Sequence, residues 1–221
     1  MVSIAIDGPA GAGKSTIARQ AAKIMGYIYV DTGALYRAIG LFTLENHVDV
    51  TQQDQVEGML SKMEIELTFL EGEQHVFLCG KDVSQEIRTP EVSMAASRVS
   101  AVPAIRTFLF DLQRNIAKKH SVIMDGRDIG TVVLPDAQVK IFLTASPEER
   151  ARRRYEELRQ KGATDSYEEV LKDLKERDYQ DSHREIAPLR PAEDAIEMDT
   201  TGLSLQQSVD RVIALIKERL P

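Results

Sequence analysis

The spacing of apolar positions changes repeatedly along the chain, and each change marks an element. Val2, Ile4, Ala5 and Ile6 form a short apolar run, the signature of a strand buried in a parallel sheet. Ile17, Ala18, Ala21, Ala22, Ile24 and Met25 then recur at helical spacing, and Gly26 supplies a helix stop. Residues 27–30 read as a second strand, and Leu35, Ala38, Ile39 and Phe42 as a second helical stripe. Residues 121–124, 139–143 and 195–198 are further short strands. Helices are expected to start at Thr89-Pro90, at Pro103 (Ile105, Phe108, Leu109, Leu112 and Ile116 on one face), at Ser146-Pro147, at Asp165 or Ser166, and after Ser204. Gly162 closes the helix that Ser146 opens. Alternating strands and helices predict an α/β fold: a doubly wound parallel sheet with helices on both faces. Residues 64–88 depart from that rhythm. Ile65, Leu67 and Phe69 alternate with polar neighbours, Glu71-Gly72-Glu73-Gln74 turns, and residues 76–78 return, which predicts an inserted antiparallel hairpin.

The first strand and helix enclose Gly8-Pro9-Ala10-Gly11-Ala12-Gly13-Lys14-Ser15-Thr16. This is G-x-x-x-x-G-K-[ST] without a mismatch, in the strand–loop–helix context the pattern requires. Glycines allow backbone N–H groups to point inward at phosphates, and the helix N-terminus adds positive potential. Lys14 is placed for the outer phosphates and the Ser15 hydroxyl for Mg²⁺. A P-loop NTPase fold binding a nucleoside triphosphate with Mg²⁺ follows.

Two more loops leave strands at the edge where ligands bind in such sheets. Asp125-Gly126-Arg127-Asp128 offers a carboxylate to assist Mg²⁺, a guanidinium for a phosphate and an acceptor for a base. Asp31-Thr32-Gly33 leads into a helix carrying Arg37; Thr32 and Arg37 fit one bound group, although helix capping with a solvated Arg37 accounts for the same residues. Arg150, Arg152, Arg153, Arg154, Arg159 and Lys161 form a dense positive run. Pairing with Glu148, Glu149, Glu156 and Glu157 explains part of it; an arginine-bearing flap over a transferring phosphoryl group explains the rest. Arg177, Asp181 and Arg184 are spaced to share one helix face, as an ion pair or as a site.

Composition narrows the partners. The 221 residues are 43% hydrophobic and 29% charged, with a net charge of −7, which argues against broad nucleic-acid or membrane binding. Cys79 is the single cysteine, expected as a small buried strand residue in a reducing, cytoplasmic setting. The four histidines lack metal-ligand spacing. No N-K-x-D base reader of a guanine switch begins at Asn46 or Asn115. A monomer is expected, since no apolar helix face stands out.

Taken together, I-A-I-D-G-P-A-G-A-G-K-S-T, D-T-G-A-L-Y-R-A, D-V-S-Q-E-I-R-T-P-E-V, M-D-G-R-D-I-G-T-V-V-L-P-D-A, K-E-R-D-Y-Q-D-S-H-R and A-P-L-R-P-A resemble the bacterial cytidylate kinases over nearly the whole chain. The resemblance implies transfer of a phosphoryl group from ATP to CMP or dCMP with Mg²⁺. It implies a core (1–30, 106–150 and 169–221), a monophosphate-binding region (31–105) and a lid (151–168). It further implies that Thr32 binds CMP, that Arg37 and Arg127 hold its phosphate, and that Ser97, Arg106 and Asp128 read the cytosine. Arg177, Asp181 and Arg184 would hold sugar and phosphate, and Arg153 or Arg154 would come from the lid. A kinase with another acceptor, or a P-loop switch acting through a partner, are the alternatives.

Overall fold

A computed structural model describes residues 1–70, 73–160 and 162–220; Glu71, Gly72 and Lys161, named above, lie outside it. In chain order the elements are β1 (Ser3–Asp7), α1 (Lys14–Met25), β2 (Ile28–Asp31), α2 (Thr32–Glu45), α3 (Gln53–Leu60), β3 (Ile65–Leu70), β4 (Glu73–Leu78), β5 (Lys81–Asp82) and a 3-10 turn, Glu86–Arg88. Then follow α4 (Pro90–Val99), α5 (Pro103–Lys119), β6 (Val122–Gly126), a π-helical turn (Ile129–Val133), β7 (Val139–Thr144), α6 (Pro147–Gln160), α7 (Tyr167–His183), β8 (Ile196–Asp199) and α8 (Leu205–Arg219).

The expected doubly wound sheet is present, in the strand order β2-β6-β1-β7-β8 and parallel throughout. Strand residues alternate between its two faces. Ile4, Ile6, Ile123 and Ile141 pack with α1 and α8, while Ala5, Val30, Met124 and Ile129 form the opposite layer with α5 and the π-helical turn. Each of those isoleucines is fully buried, a contribution of about 1.5–3 kcal/mol apiece relative to exposure. The register sets Asp31 opposite Asp125 and Asp7 opposite Gly126. Three carboxylates therefore end at one edge of the sheet, where the loops begin.

The inserted hairpin is β3 and β4, extended by β5 into a small antiparallel sheet. It shares a second core with α2, α3, α4 and the start of α5, through Leu35, Ile39, Val56, Val76, Ile87 and Ile105. The boundary drawn at 105/106 falls inside α5, whose Ala117 end packs against the main sheet.

Two expectations need correction. Cys79 is exposed, in the tight turn between β4 and β5 with φ +49, rather than buried in a strand. Arg184 falls one residue beyond α7, with extended ψ, so Arg177, Asp181 and Arg184 do not share one helix face.

Candidate active site

Loops at that sheet edge enclose a cleft of about 360 Å³. The first loop joins β1 to α1. Gly8 and Gly13 sit at φ +149 and +84, where side-chain-bearing residues are strained, and a Cβ on Gly8 would overlap the Leu143 carbonyl. Ala10, Gly11, Gly13, Lys14, Ser15 and Thr16 line the cleft, while Gly8, Pro9 and Ala12 are set behind them. Gly13 caps α1 without a side chain, which leaves the first N–H groups of the helix for an anion. Lys14 Nζ, buried, donates to Pro9 O at 2.7 Å. Burial, and then the charge of Arg127, push its ammonium down to about 7.

The second wall is the end of β6. Asp125 accepts from Ser15 Oγ and from the Tyr29 hydroxyl, each at 2.9 Å, while its backbone oxygen accepts from Thr32 Oγ1 at 2.7 Å. Burial, and then the neighbouring Asp31 charge, lift its carboxyl to about 6. Asp7 accepts from the N–H groups of Ile129 and Gly130 at 2.8 and 2.7 Å, pinning the π-helical turn just after Asp128. Burial lifts its carboxyl to about 6 as well.

The third wall is a web of charge pairs. Asp31 caps α2 by accepting from Ala34 N at 2.9 Å and holds Arg37 at 2.7 Å. Although burial opposes it, the Arg37 guanidinium keeps this carboxyl below its ordinary range. Asp128 pairs with Arg106 and, at 3.4 Å, with Arg184; burial outweighs both and raises its carboxyl. Arg127 Nε donates to Asp181 at 2.7 Å. Arg177, four residues before Asp181 on α7, is left out: its buried Nε has no hydrogen-bond partner among the described residues. Burial, and then the Arg127 charge, lower its guanidinium to about 10.

Seven Lys and Arg side chains line the cleft against four Asp, in a chain whose net charge is −7. The local sign is thus opposite to the global one, which selects anionic occupants. Ser97 also lines the cleft, with its hydroxyl 3.5 Å from Gln180 Oε1.

The arginine run divides by burial. Arg150 is buried, donating to Ala10 O and Ala145 O at 2.9 Å and pairing with Asp178 at 2.7 Å, so it braces the first loop against α6 and α7. Arg152 spans Glu149 and Glu156 at the surface. Arg153 binds Glu149 and the Thr200 hydroxyl and carbonyl, behind Gly13. Arg154 pairs with Glu157 and lines the cleft.

Among the expected site residues, the cleft lining omits only Gly8, Pro9, Ala12 and Arg153. The sequence reading passed over Asp7, although a lone carboxylate ending a buried strand just ahead of the glycine loop was a usable signal. It also passed over Tyr36, which lines the cleft with the Arg106 guanidinium 5.7 Å from its ring centre. Among the described residues, no group of three or more His, Cys, Asp or Glu could hold a metal by itself, and no helix is long and apolar enough to cross a membrane.

Comparison with known proteins adds a family. A sequence model of the cytidylate kinases matches residues 4–218. A cytidylate kinase of Lactobacillus gasseri is 50% identical over 219 residues, covering 99% of this chain and 95% of that protein. One from Caldanaerobacter subterraneus is 53% identical over 217 residues, covering 98% and 95%. Among solved structures, an uncharacterized protein from Eubacterium ventriosum superimposes with a TM-score of 0.54 at 14% identity, covering 99% of this chain and all of that one; at that identity the likeness concerns the fold alone.

Proposed function

The chain belongs to the cytidylate kinase family, and on that premise we propose that it transfers the γ-phosphoryl group of ATP to CMP or dCMP, giving ADP and CDP or dCDP. One observation carries the reading: a triphosphate cradle and a cluster of arginines line the same cleft, and one of those arginines has a buried Nε with no partner among the described residues. A single nucleotide in the cradle would leave that second cluster without a ligand.

In this reading the loop of residues 8–16 holds the donor's phosphates, through the backbone N–H groups of those residues that line the cleft. Lys14 exchanges the Pro9 carbonyl for phosphate oxygens, a contact that favours its charged form. Thr32, Arg37 and Arg127 hold the acceptor's phosphate end, with Arg177, Asp181 and Arg184 on sugar and phosphate. Ser97, Arg106 and Asp128 face the cytosine. A carboxylate at Asp128 accepts from the exocyclic amine of cytosine and meets the carbonyl of uracil with repulsion; a site built on such a hydrogen bond rejects the analogue that lacks the donor.

An oxygen of the acceptor phosphate attacks the γ-phosphorus in line. The new P–O bond forms as the bond to the β-phosphate oxygen breaks, and ADP leaves with that electron pair. No covalent enzyme intermediate is involved, so catalysis is positioning and charge neutralisation. Arg177, with Arg154 or Arg153 brought in from α6, neutralises the equatorial oxygens. Ser15 Oγ and Asp125 Oδ2, 2.9 Å apart, are the hard oxygen donors that suit Mg²⁺ held mainly by phosphates and water. When bound there, Mg²⁺ would offset charge on the β- and γ-phosphates. The enzyme is taken as a cytoplasmic monomer acting on small molecules.

The test is a panel of monophosphates (CMP, dCMP, UMP, AMP, GMP) with ATP and Mg²⁺, read as ADP release. CMP and dCMP should lead by a wide margin; another monophosphate in the lead, or steady hydrolysis without an acceptor, overturns the reading.

A further inference from the structure

β2 is one of the two edge strands of the parallel sheet, and no described strand pairs with its outer edge. Even so, the last residue of β2 has both backbone groups paired on that side. Asp31 N donates to Gln74 Oε1 at 2.9 Å, and Gln74 Nε2 donates to Asp31 O at 3.2 Å. A primary amide presents the donor and acceptor of a peptide group. Gln74 thus does for Asp31 what one residue of a neighbouring strand would do.

Gln74 belongs to the insert. It lies on β4, with its backbone opposite Phe69 of β3. The crevice beside the contact measures only about 10 Å³, room for one water at most. At this point the insert therefore rests directly on the core.

The residue that Gln74 holds organises the acceptor end of the cleft. The Asp31 carboxylate caps α2 and fixes Arg37. The next residue, Thr32, is tied to the Asp125 carbonyl. A shift of the Asp31 main chain would move all of these together. The first loop, which holds the donor, makes none of its contacts through Asp31.

We propose that Gln74 is a positioning residue for the acceptor: its amide clamps the end of β2, so that the insert sets the Asp31–Arg37 pair and the Thr32 hydroxyl for the incoming monophosphate. Gln74 is not in the cleft lining and acts only through Asp31. The inference rests on the reading of CMP or dCMP as acceptor.

The experiment compares Gln74→Met, which keeps the length and loses both hydrogen bonds, with the parent. Gln74→Glu is the second variant; it keeps the acceptor for Asp31 N but sets a carboxylate beside Asp31. Gln138→Met is the control, because Gln138 Oε1 accepts from Ser3 N at 2.7 Å, a similar side-chain clamp at the opposite end of β1. KM for CMP should rise roughly tenfold in both Gln74 variants, the scale of one or two lost hydrogen bonds. KM for ATP and kcat should stay within about twofold in those variants, and the control should change neither KM. If the KM values rise together, or only the melting temperature moves, Gln74 merely glues the insert to the core and the proposal fails. A parent that does not phosphorylate CMP refutes the functional reading and the clamp with it. A parent that does, beside variants whose KM values do not separate, refutes the clamp alone.

Discussion

The two ends of the cleft are prepared for their ligands in opposite ways. The end proposed for the donor is backbone: glycines at positive φ, N–H groups on α1 without a side-chain cap, and one lysine resting on a carbonyl. The end proposed for the acceptor is side chains, and they bind one another: Arg37 with Asp31, Arg127 with Asp181, Arg106 and Arg184 with Asp128. A backbone cradle changes little when a phosphate enters it. A charge web has to exchange partners, and buried pairs are costly to break halfway. Selectivity belongs where partners are exchanged, because a wrong ligand there leaves buried charges unpaired.

The contrast is open to attack, beginning at the donor end. Lys14→Ala should lower kcat by about 10²–10³, as expected when a preorganised contact to developing charge is lost. Circular dichroism and melting should show the fold retained, since burial already disfavours the lysine's charged form. Turnover equal to the parent would remove the donor cradle from the chemistry.

Arg177→Gln comes next, with an expected loss of about 10² in kcat. Its ligand-free stability should match or exceed that of the parent, because a buried guanidinium with an unpartnered Nε is a liability until an anion arrives. Substantial destabilisation of the empty protein would show that Arg177 is a structural cation after all. Asp128→Asn should raise KM for CMP by about 10- to 100-fold, the scale of a hydrogen bond to a charged group, while KM for ATP moves less than about twofold. Equal rises for both nucleotides would remove Asp128 from base recognition and blur the division between the ends.

The smallest effect concerns Asp7, the joint between the two ends. It closes β1 beside the glycine loop and pins the turn that follows Asp128. Its carboxyl is lifted from the ordinary 3.8 to about 6, chiefly by burial. The folded state therefore binds more protons than the unfolded one between those values. The contribution is full below about pH 4 and disappears as pH rises through 6, up to about 3 kcal/mol for one such group. Asp125 adds a slope of the same sign. Urea unfolding at intervals from pH 4 to 7 should show stability falling across that window, and less steeply in Asp7→Asn. An unchanged slope in the variant would show that Asp7 is ionised throughout.

The loop proposed for the donor was legible because its pattern is local. Nine consecutive residues carry it, and the strand before and helix after them have clear periods. The helix starts were equally plain where caps mark them, as at Ser166 and Ser204, each of which forms a reciprocal capping box. The acceptor end assembles residues from four stretches between 31 and 184, and which carboxylate pairs with which arginine is set by packing rather than spacing. Asp181 takes Arg127 across the cleft instead of Arg177 one turn away on its own helix. α3 went unread because only Val56 and Met59 are buried among its eight residues, too few to set a period. Cys79 was misplaced because the apolar run of β4 ends at Leu78, and the residue after it turns outward at positive φ.

Both nucleotides are proposed to occupy one cleft at once. Titration calorimetry with adenosine and cytidine joined through five phosphates tests this directly. One molecule should bind per chain, and its binding should be lost when both ATP and CMP are saturating and weakened by each of them alone. Competition from ATP but none from CMP would mean that the arginine web faces some other ligand, and the account would be wrong.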